Sequence, residues 1–197
     1  MPPVIPDPKA IRSFASMAAF EAWLAVHHDR ESEVWIRIFK KATGRPTVTP
    51  TEAIDVALCW GWIDAIRKSC DEVSYLQRYT PRGRKSLWSQ VNRNNVARLT
   101  AEGRMTPHGQ RHVDAAKADG RWDNAYAPIR SVSADTLPPD LVAAIRANPA
   151  ALTTFGTLNK TNLFALGFRV GSLKTPAGRA RKIASLVALL ERGDRIV

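Results

Sequence analysis

The sequence predicts an α+β protein, with a small antiparallel sheet packed against helices and followed by a helical carboxy-terminal element. Alternation of apolar and polar residues, typical of strands, is confined to segments 33–40, 62–66 and 73–79. Helix-start signals surround these segments, and only helical patterns occur beyond residue 139. The 197 residues are 45% hydrophobic and 24% charged, a composition typical of folded globular proteins.

Two helices are indicated before the second strand. Phe20, Trp23 and Leu24 recur at intervals of three and four residues, as on one face of an amphipathic helix. Thr49 followed by Pro50 has the composition of a helix start, with a capping hydroxyl and proline in the first turn. We therefore expect one helix on each side of strand 33–40.

The middle of the chain contains a hairpin followed by two more helices. Segments 62–66 and 73–79 are expected to pair through a turn at 68–71. Ser86 is expected to cap a helix that ends at Gly103. Thr106 and Pro107 indicate the start of another helix that runs to Gly120.

The prolines of segment 128–139 mark a predicted linker. The expected division is a core domain at 10–127, the linker at 128–139 and a helical element at 140–197. Four helices are predicted after the linker, at about 139–147, 149–158, 160–170 and 176–192. Gly178 costs up to about 1 kcal/mol relative to Ala in a helix, so we expect the last helix to start late or fray.

The formal charge of +11 is concentrated in two blocks. Residues 78–111 carry eight basic residues against Glu102 alone (+7), and residues 160–197 carry eight against two acidic residues (+6). The remaining segments, 1–77 and 112–159, are each −1. Such clustering attracts phosphates, nucleic acid or acidic protein surfaces; the alternative is a solvated face that maintains solubility.

Targeting signals and cofactor motifs are not found in the sequence. The prolines of the first eight residues exclude an apolar signal-peptide helix, and no run approaches the roughly 18 apolar residues of a membrane span. Cys59 and Cys70 lack a C-x-x-C spacing and are expected to be reduced. We therefore expect a cytoplasmic protein with no membrane span, cofactor or metal.

Segment 60–105 contains four ordered motifs. They read Trp-Gly-Trp-Ile-Asp at 60–64, Arg-Tyr-Thr-Pro-Arg at 78–82, Ser-Leu-Trp-Ser-Gln-Val-Asn at 86–92 and Gly-Arg-Met at 103–105. Taken together they resemble the YdeI/OmpD-associated (bacteriocin-protection) family. Segments 161–164, 174–176 and 179–183 resemble its carboxy-terminal element, so the resemblance covers about residues 12–195. It implies a stress-resistance role but no catalytic mechanism.

The best candidate site is the loop that precedes the helix expected at Ser86. A helix amino-terminus offers unpaired N–H groups and a positive dipole end, and basic side chains just before it would complete an anion cradle. The predicted anion-binding residues are Arg82, Arg84, Lys85, Ser86, Ser89 and Asn92. The alternative is that Ser86 only caps the helix and that the arginines are solvated.

Four further residues are predicted to support this site: Asp64, Trp62, Trp88 and Arg104. Asp64 is expected to form a structural ion pair with Arg82 or Arg84. Trp60 and Trp62 are expected to fill the core, with a ligand pocket as the alternative. Trp88 could stack on bases if the partner is nucleic acid.

The histidines are predicted to form no metal site. His108 and His112 are four residues apart on a helix, but no Glu follows His108, and Arg104 and Arg111 would repel a divalent cation. His27 and His28 are adjacent, so their side chains diverge on a helix.

Three functions are compatible with the sequence. The favoured one is a non-enzymatic binding protein that uses a basic face for an anionic small molecule or an acidic protein surface. The second is nucleic-acid binding, although no DNA- or RNA-reading motif is present. The third is an uncharacterised enzyme in which Asp64, Arg82, Ser86 and Asn92 share a cleft. The sequence does not indicate an oligomeric state.

Overall fold

The computed structural model of the protein describes residues 4–171, 173 and 175–197. These residues contain eight α-helices and a four-stranded sheet, which confirms the α+β class and the helical carboxy-terminal region. Lys174, part of one of the resemblance motifs, lies outside the described residues.

The chain divides into two compact units. Unit 1 contains the residues up to Trp88 together with Asn92–Ala125, and unit 2 contains Ser89–Val91 together with Tyr126–Val197. Each unit has its own hydrophobic core.

The sheet of unit 1 has the strand order β1-β2-β4-β3. The strands are β1 (Ile11–Arg12), β2 (Val34–Phe39), β3 (Trp62–Ser69) and β4 (Ser74–Pro81). Strands β2, β4 and β3 are antiparallel neighbours, as predicted, whereas β1 pairs parallel with β2. The sequence did not predict β1, because a two-residue strand is too short for an alternating pattern.

A bulge in β3 is stabilised by one buried amide. The register between β3 and β4 shifts between Asp64 and Arg67. The Gln77 amide donates to the carbonyl oxygens of Ala65 (3.2 Å) and Ile66 (3.4 Å), and Arg67 Nε donates to Gln77 Oε1 (3.2 Å). These bonds satisfy polar groups that the interrupted ladder leaves unpaired, and they fix the first half of β3.

Helix starts in unit 1 follow the capping signals of the sequence. Its helices are α1 (Met17–His27), α2 (Pro50–Cys59), α3 (Gln90–Ala101) and α4 (Pro107–Ala118), of which α3 begins at two residues that belong to unit 2. Thr49 Oγ1 accepts the N–H of Glu52, whose carboxylate accepts the N–H of Thr49 at 2.8 Å. Thr106 caps α4 in the same way, by accepting the N–H of Gly109.

The prediction that a helix starts at Ser86 is wrong. Residues 82–88 form a loop, and α3 begins at Gln90. Arg121 Nη1 donates to the Ser86 carbonyl (2.9 Å), and Arg82 Nη1 donates to the Leu87 carbonyl (3.0 Å). In a helix these carbonyls would accept N–H groups four residues on, so the two arginine side chains hold the loop in a non-helical conformation.

Helix α2 connects the two hydrophobic clusters of unit 1. Val56 and Ala57 pack with α1 and β2, while Leu58 and Cys59 pack with residues of α3 and α4. The buried sheet and α1 residues include Phe20, Leu24, Val34, Ile36 and Ile38. The predicted core position of Trp62 is confirmed, since it is 1% exposed.

Two glycines allow α4 to approach α2 and β3. Gly61 has φ 75°, and a Cβ there would collide with the ring of His112. A Cβ at Gly109 would collide with the backbone carbonyls of Leu58 and Cys59. Helix α4 therefore rests directly on the end of α2, with no side chain between the two backbones at Gly109.

Unit 2 contains the four predicted carboxy-terminal helices. They are α5 (Pro139–Arg146), α6 (Pro149–Phe155), α7 (Lys160–Gly171) and α8 (Pro176–Glu191). The last helix does not start late, because Thr175 Oγ1 accepts the N–H of Gly178 at 3.3 Å and caps it. Val132 and Leu137, within the predicted linker, are buried in the core of unit 2.

A buried asparagine attaches the end of the described chain to unit 2. Asn162 is 2% exposed, and its Oδ1 accepts the N–H groups of Ile196 (2.8 Å) and Val197 (3.2 Å). Arg169 Nη2 donates to the carbonyl of Ile196 at 3.1 Å. The side chain of Ile196 is thereby held in the core.

Replacing this asparagine should loosen the end of unit 2. In Asn162→Ala the N–H groups of Ile196 and Val197 lose their acceptor, and we expect the free energy of unfolding to fall by about 1–3 kcal/mol. Urea denaturation followed by circular dichroism measures the change. Thr157→Ala, which removes an exposed hydroxyl bonded to a local carbonyl, should change it by no more than about 0.5 kcal/mol. Equal losses in the two variants would contradict this role.

Asp55 forms the centre of an ion-pair network in unit 1. Its carboxylate is buried on α2, and Arg98 Nη2 contacts both of its oxygens at 2.7 Å. Arg98 and Arg104 also pair with Glu102, at 3.1 Å and 3.4 Å. Two basic residues of the first charge block are thus paired with carboxylates of the same unit.

Removing the central carboxylate should destabilise unit 1. Asp55→Ala leaves two guanidinium groups beside a buried, uncharged site, so we expect a loss of about 1–3 kcal/mol in the free energy of unfolding. Glu102→Gln is the matched control. Its carboxylate is exposed and should contribute much less to stability than that of Asp55. A larger loss in Glu102→Gln than in Asp55→Ala, measured in urea, would refute the assignment.

Candidate functional site

Cationic side chains surround two tryptophans in unit 1. The rings of Trp88 and Trp122 are 4.9 Å apart at 62°. The Arg82 guanidinium lies 3.8 Å from the centroid of Trp88, and Arg93 and Lys117 lie 5.3 Å and 5.5 Å from that of Trp122. These are cation–π distances. We call these five residues the tryptophan–cation cluster.

Arg82 is the interior member of this cluster. It is 3% exposed, its backbone N–H donates to the Gly61 carbonyl (2.8 Å), and its side chain donates to the Leu87 carbonyl (3.0 Å). Stacking on Trp88 shields the guanidinium while keeping it charged. Arg82 therefore fixes the path of the loop from its buried side.

The cations at the surface of this region are not neutralised by acidic residues. Arg84 and Lys85 are exposed on the loop, Lys117 is exposed on α4, and Arg93 is half-buried on α3. Within the described part of the chain, none of these four takes part in a salt bridge. They differ in this respect from Arg98 and Arg104.

Two neighbouring titratable groups respond to this environment. Burial lowers the pKa of His112, and the charges of Arg82, Arg111 and Arg121 lower it further. Burial also raises the pKa of Asp64, although Arg82 and Arg67 oppose the shift. A neutral imidazole and a partly desolvated carboxylate therefore flank Arg82.

The expected ion pair between Asp64 and Arg82 or Arg84 is not formed. Asp64 is half-buried opposite Tyr79 in the hairpin, and it has no salt bridge in the described residues. Arg82 is directed to Leu87 and Trp88 instead. The cost of burying the Asp64 carboxylate is therefore only partly offset.

This environment makes a prediction about pH. A raised pKa in the folded state means that ionised Asp64 destabilises the fold, so Asp64→Asn should raise the free energy of unfolding near pH 7. The difference should shrink as the pH falls through the raised pKa toward the ordinary value of 3.8. Thermal unfolding at a series of pH values measures it.

Asp71→Asn is the opposite-sign control. The Ser74 hydroxyl, the main cause, and Arg37 hold the pKa of Asp71 below its ordinary value. Asp71 therefore contributes stability that is lost as the pH falls through its lowered pKa. Asp71→Asn should be destabilising near neutral pH, and a shift of the same sign in both variants would contradict the assignment of Asp64.

The remaining predicted residues are not all brought together. Ser86 is half-buried in the loop, and Asn92 is half-buried on α3. Ser89 is buried and belongs to unit 2, where it forms a bridge with Tyr126. No hydrogen bond or ion pair of the described chain joins Asp64 to Ser86.

Two supporting residues have structural contacts. Arg104 pairs with Glu102 and contacts Met17 Sδ at 3.1 Å, so it belongs to the Asp55 network. Trp62 Nε1 donates to the backbone carbonyl of His28 at 3.1 Å. Neither is part of the tryptophan–cation cluster.

Sequence reasoning missed Arg93, Lys117 and Trp122. Trp122 follows the end of α4 and is 34 positions from Trp88 (122 minus 88), so no local spacing connects them. The one available signal is a bulky aromatic in a polar turn between Arg121 and Asp123.

Two concave regions lie elsewhere. An apolar groove of about 610 Å³ between α5 and α8 is lined mainly by small side chains, among them Ala144, Ala180, Ala184 and Ala188. A cleft of about 290 Å³ in unit 1 is lined by charged residues and Trp23. Neither is lined by a predicted site residue. In the described residues, no group of three or more His, Cys, Asp or Glu could hold a metal ion.

Comparison with known proteins gives two family matches. Residues 12–112, just over half of the chain, match a family described as Domain of unknown function (DUF8412). Residues 136–193 match the family Bacteriocin-protection, YdeI or OmpD-Associated, which confirms the predicted resemblance for the carboxy-terminal part. The motifs at 60–105 fall within the first match. No curated protein and no solved structure matches.

Among the described residues, no helix is both long enough and apolar enough to span a lipid bilayer.

Proposed function

The chain belongs to the DUF8412 family, and we propose that it is a non-enzymatic, cytoplasmic protein that binds a small polyanion at the tryptophan–cation cluster of unit 1. The observation that carries this proposal is the presence of Arg93 and Lys117 against Trp122, near a loop with exposed Arg84 and Lys85. None of the four pairs with a carboxylate in the described residues.

The first supporting argument is electrostatic. Cations held against an aromatic ring keep their charge and lose little further freedom when an anion binds. The lowered pKa of His112 reports the same positive environment from inside unit 1, since three arginines contribute to it. A phosphate or carboxylate group would therefore meet positive charge that is already in place.

The second argument concerns an unused donor. Trp88 is 2% exposed, and its Nε1–H has no hydrogen-bond acceptor among the described residues. A buried donor without a partner costs about 1–3 kcal/mol. An acceptor from a bound anion, or from water carried with it, would offset that cost.

Binding is favoured over catalysis. The enzyme hypothesis requires Asp64 and Ser86 to converge within hydrogen-bond reach. No contact of that kind joins them in the described chain, and Arg82 is occupied by Leu87 and Trp88.

The second family description includes bacteriocin protection and OmpD association. A chain with a net charge of +11 repels cationic peptides over the Debye length of about 10 Å. We therefore propose that any protective action is indirect and depends on an acidic ligand or partner, not on capture of the peptide.

A calorimetric titration with tripolyphosphate tests the site. We expect saturable binding that the double variant Arg93→Gln, Lys117→Gln weakens by at least about tenfold, since each lost charged contact contributes about 1.5–3 kcal/mol. The probe carries several phosphates, so the affinity should also fall with added salt.

Lys41→Gln is the matched control. It removes an exposed charge that lies just beyond Phe39, the last residue of β2. Lys41 is about 20 Å from the other end of β2, where Val34 pairs with Tyr79. Equal weakening by Lys41→Gln and the double variant would refute a localised site. A single-stranded oligonucleotide is the second probe. If it binds far more tightly than tripolyphosphate, and the logarithm of its affinity falls linearly with the logarithm of the salt concentration, the ligand is nucleic acid and not a small polyanion.

A further inference from the structure

Two histidines that the sequence separates by 80 positions are in contact. His28 Nε2 lies 3.1 Å from His108 Nδ1, which joins the end of α1 to the first turn of α4. The sequence predicted no site at His27 and His28, and its local spacing related His108 only to His112.

The hydrogen-bond partners determine where the protons are. His28 Nδ1 lies 3.1 Å from the Leu24 carbonyl, which only accepts, so Nδ1 carries a proton. His108 Nδ1 lies 2.8 Å from Arg111 Nη2, which only donates, so His108 Nδ1 presents a lone pair. When His28 is neutral its Nε2 is also a bare lone pair. Two ring nitrogens without a proton then lie 3.1 Å apart.

A cation bound between the two nitrogens would accept both lone pairs and remove their repulsion. We propose that His28 Nε2 and His108 Nδ1 form a two-imidazole site for a divalent transition metal ion such as Cu²⁺, Ni²⁺ or Zn²⁺. With metal–nitrogen bonds of about 2.0–2.1 Å, the separation of 3.1 Å gives an angle of about 95–102° at the metal. This value lies between octahedral and tetrahedral geometry.

The surroundings of His28 are those of a metal ligand. Donation from its Nδ1 to the Leu24 carbonyl fixes the tautomer and directs Nε2 outward, as backbone carbonyls do for metal-bound histidines. Trp60 covers the pair, with ring centroids 5.1 Å from His28 and 5.7 Å from His108.

His108 must rotate to complete the site. The two imidazole rings are inclined by 55° with centroids 3.9 Å apart, so the lone pair of His108 is not yet aimed at a shared point. His108 is partly exposed on the first turn of α4, where a side-chain rotation is available. Burial, His28 and Arg111 lower its pKa.

Two nearby charged side chains have opposite effects on the binding of a cation. The Asp29 carboxylate is close enough to raise the pKa of His108 against the other contributions, and it would attract a cation. Arg111 competes for the same lone pair and repels the ion. With two protein ligands, water fills the remaining positions, so the site would be open and exchangeable.

Copper titration of the untagged protein tests the site. Cys70 is an exposed thiol and a competing soft ligand, so Cys70→Ser serves as the parent protein. We expect one Cu²⁺ bound near pH 7.5, with nitrogen hyperfine structure from two imidazoles in the electron paramagnetic resonance spectrum. His28→Gln and His108→Ala should each abolish this signal, while His27→Ala, on the same helix, should retain it.

Two measurements separate this site from adventitious binding. Arg111→Ala should raise the affinity for Cu²⁺ roughly three- to tenfold, because a competing donor and a like charge are removed. Lowering the pH to about 5.5 should weaken binding, because protons compete for the imidazoles. Thermal unfolding confirms that each variant folds. Lack of saturable binding in Cys70→Ser, or binding that survives in both His28→Gln and His108→Ala, overturns the proposal.

Discussion

The buried guanidinium of Arg82 is the constraint on which the surface of unit 1 depends. It stacks on Trp88, holds the Leu87 carbonyl, and its backbone N–H binds the Gly61 carbonyl. A charge in this position must remain bonded, because an unpartnered buried ion is far more costly than a solvated one. The loop therefore stays non-helical, and α3 starts after it.

The parts of the fold that the sequence predicted correctly rest on local chemistry. Thr49 and Thr106 each cap a helix through a contact that spans three residues, so the signal and its effect lie in one short segment. Ser86 also carries a hydroxyl group but does not cap a helix, because Arg121, 35 positions away, occupies its carbonyl. Strand β1 also depends on a distant partner, since only its pairing with β2 defines it.

The sequence predicted the positive charge of the candidate site but not which residues form it. Counting residues identified a basic block, yet it could not distinguish Arg98, which Asp55 neutralises, from Arg93, which lies on Trp122. That distinction depends on which helix face meets which neighbour. The contact of His28 with His108 is of the same kind, since it requires the ends of α1 and α4 to meet.

The direct contact of Gly109 with the backbone of α2 has a mechanical consequence. Because no side chain separates the two backbones, the amino-terminal turn of α4 has a fixed pivot on the carbonyls of Leu58 and Cys59. The same helix carries His108 at one end and Lys117 near the other. A tilt about this pivot would leave His108, the residue next to Gly109, nearly in place and would displace Lys117, so the direction of α4 from this contact sets the position of the cationic surface.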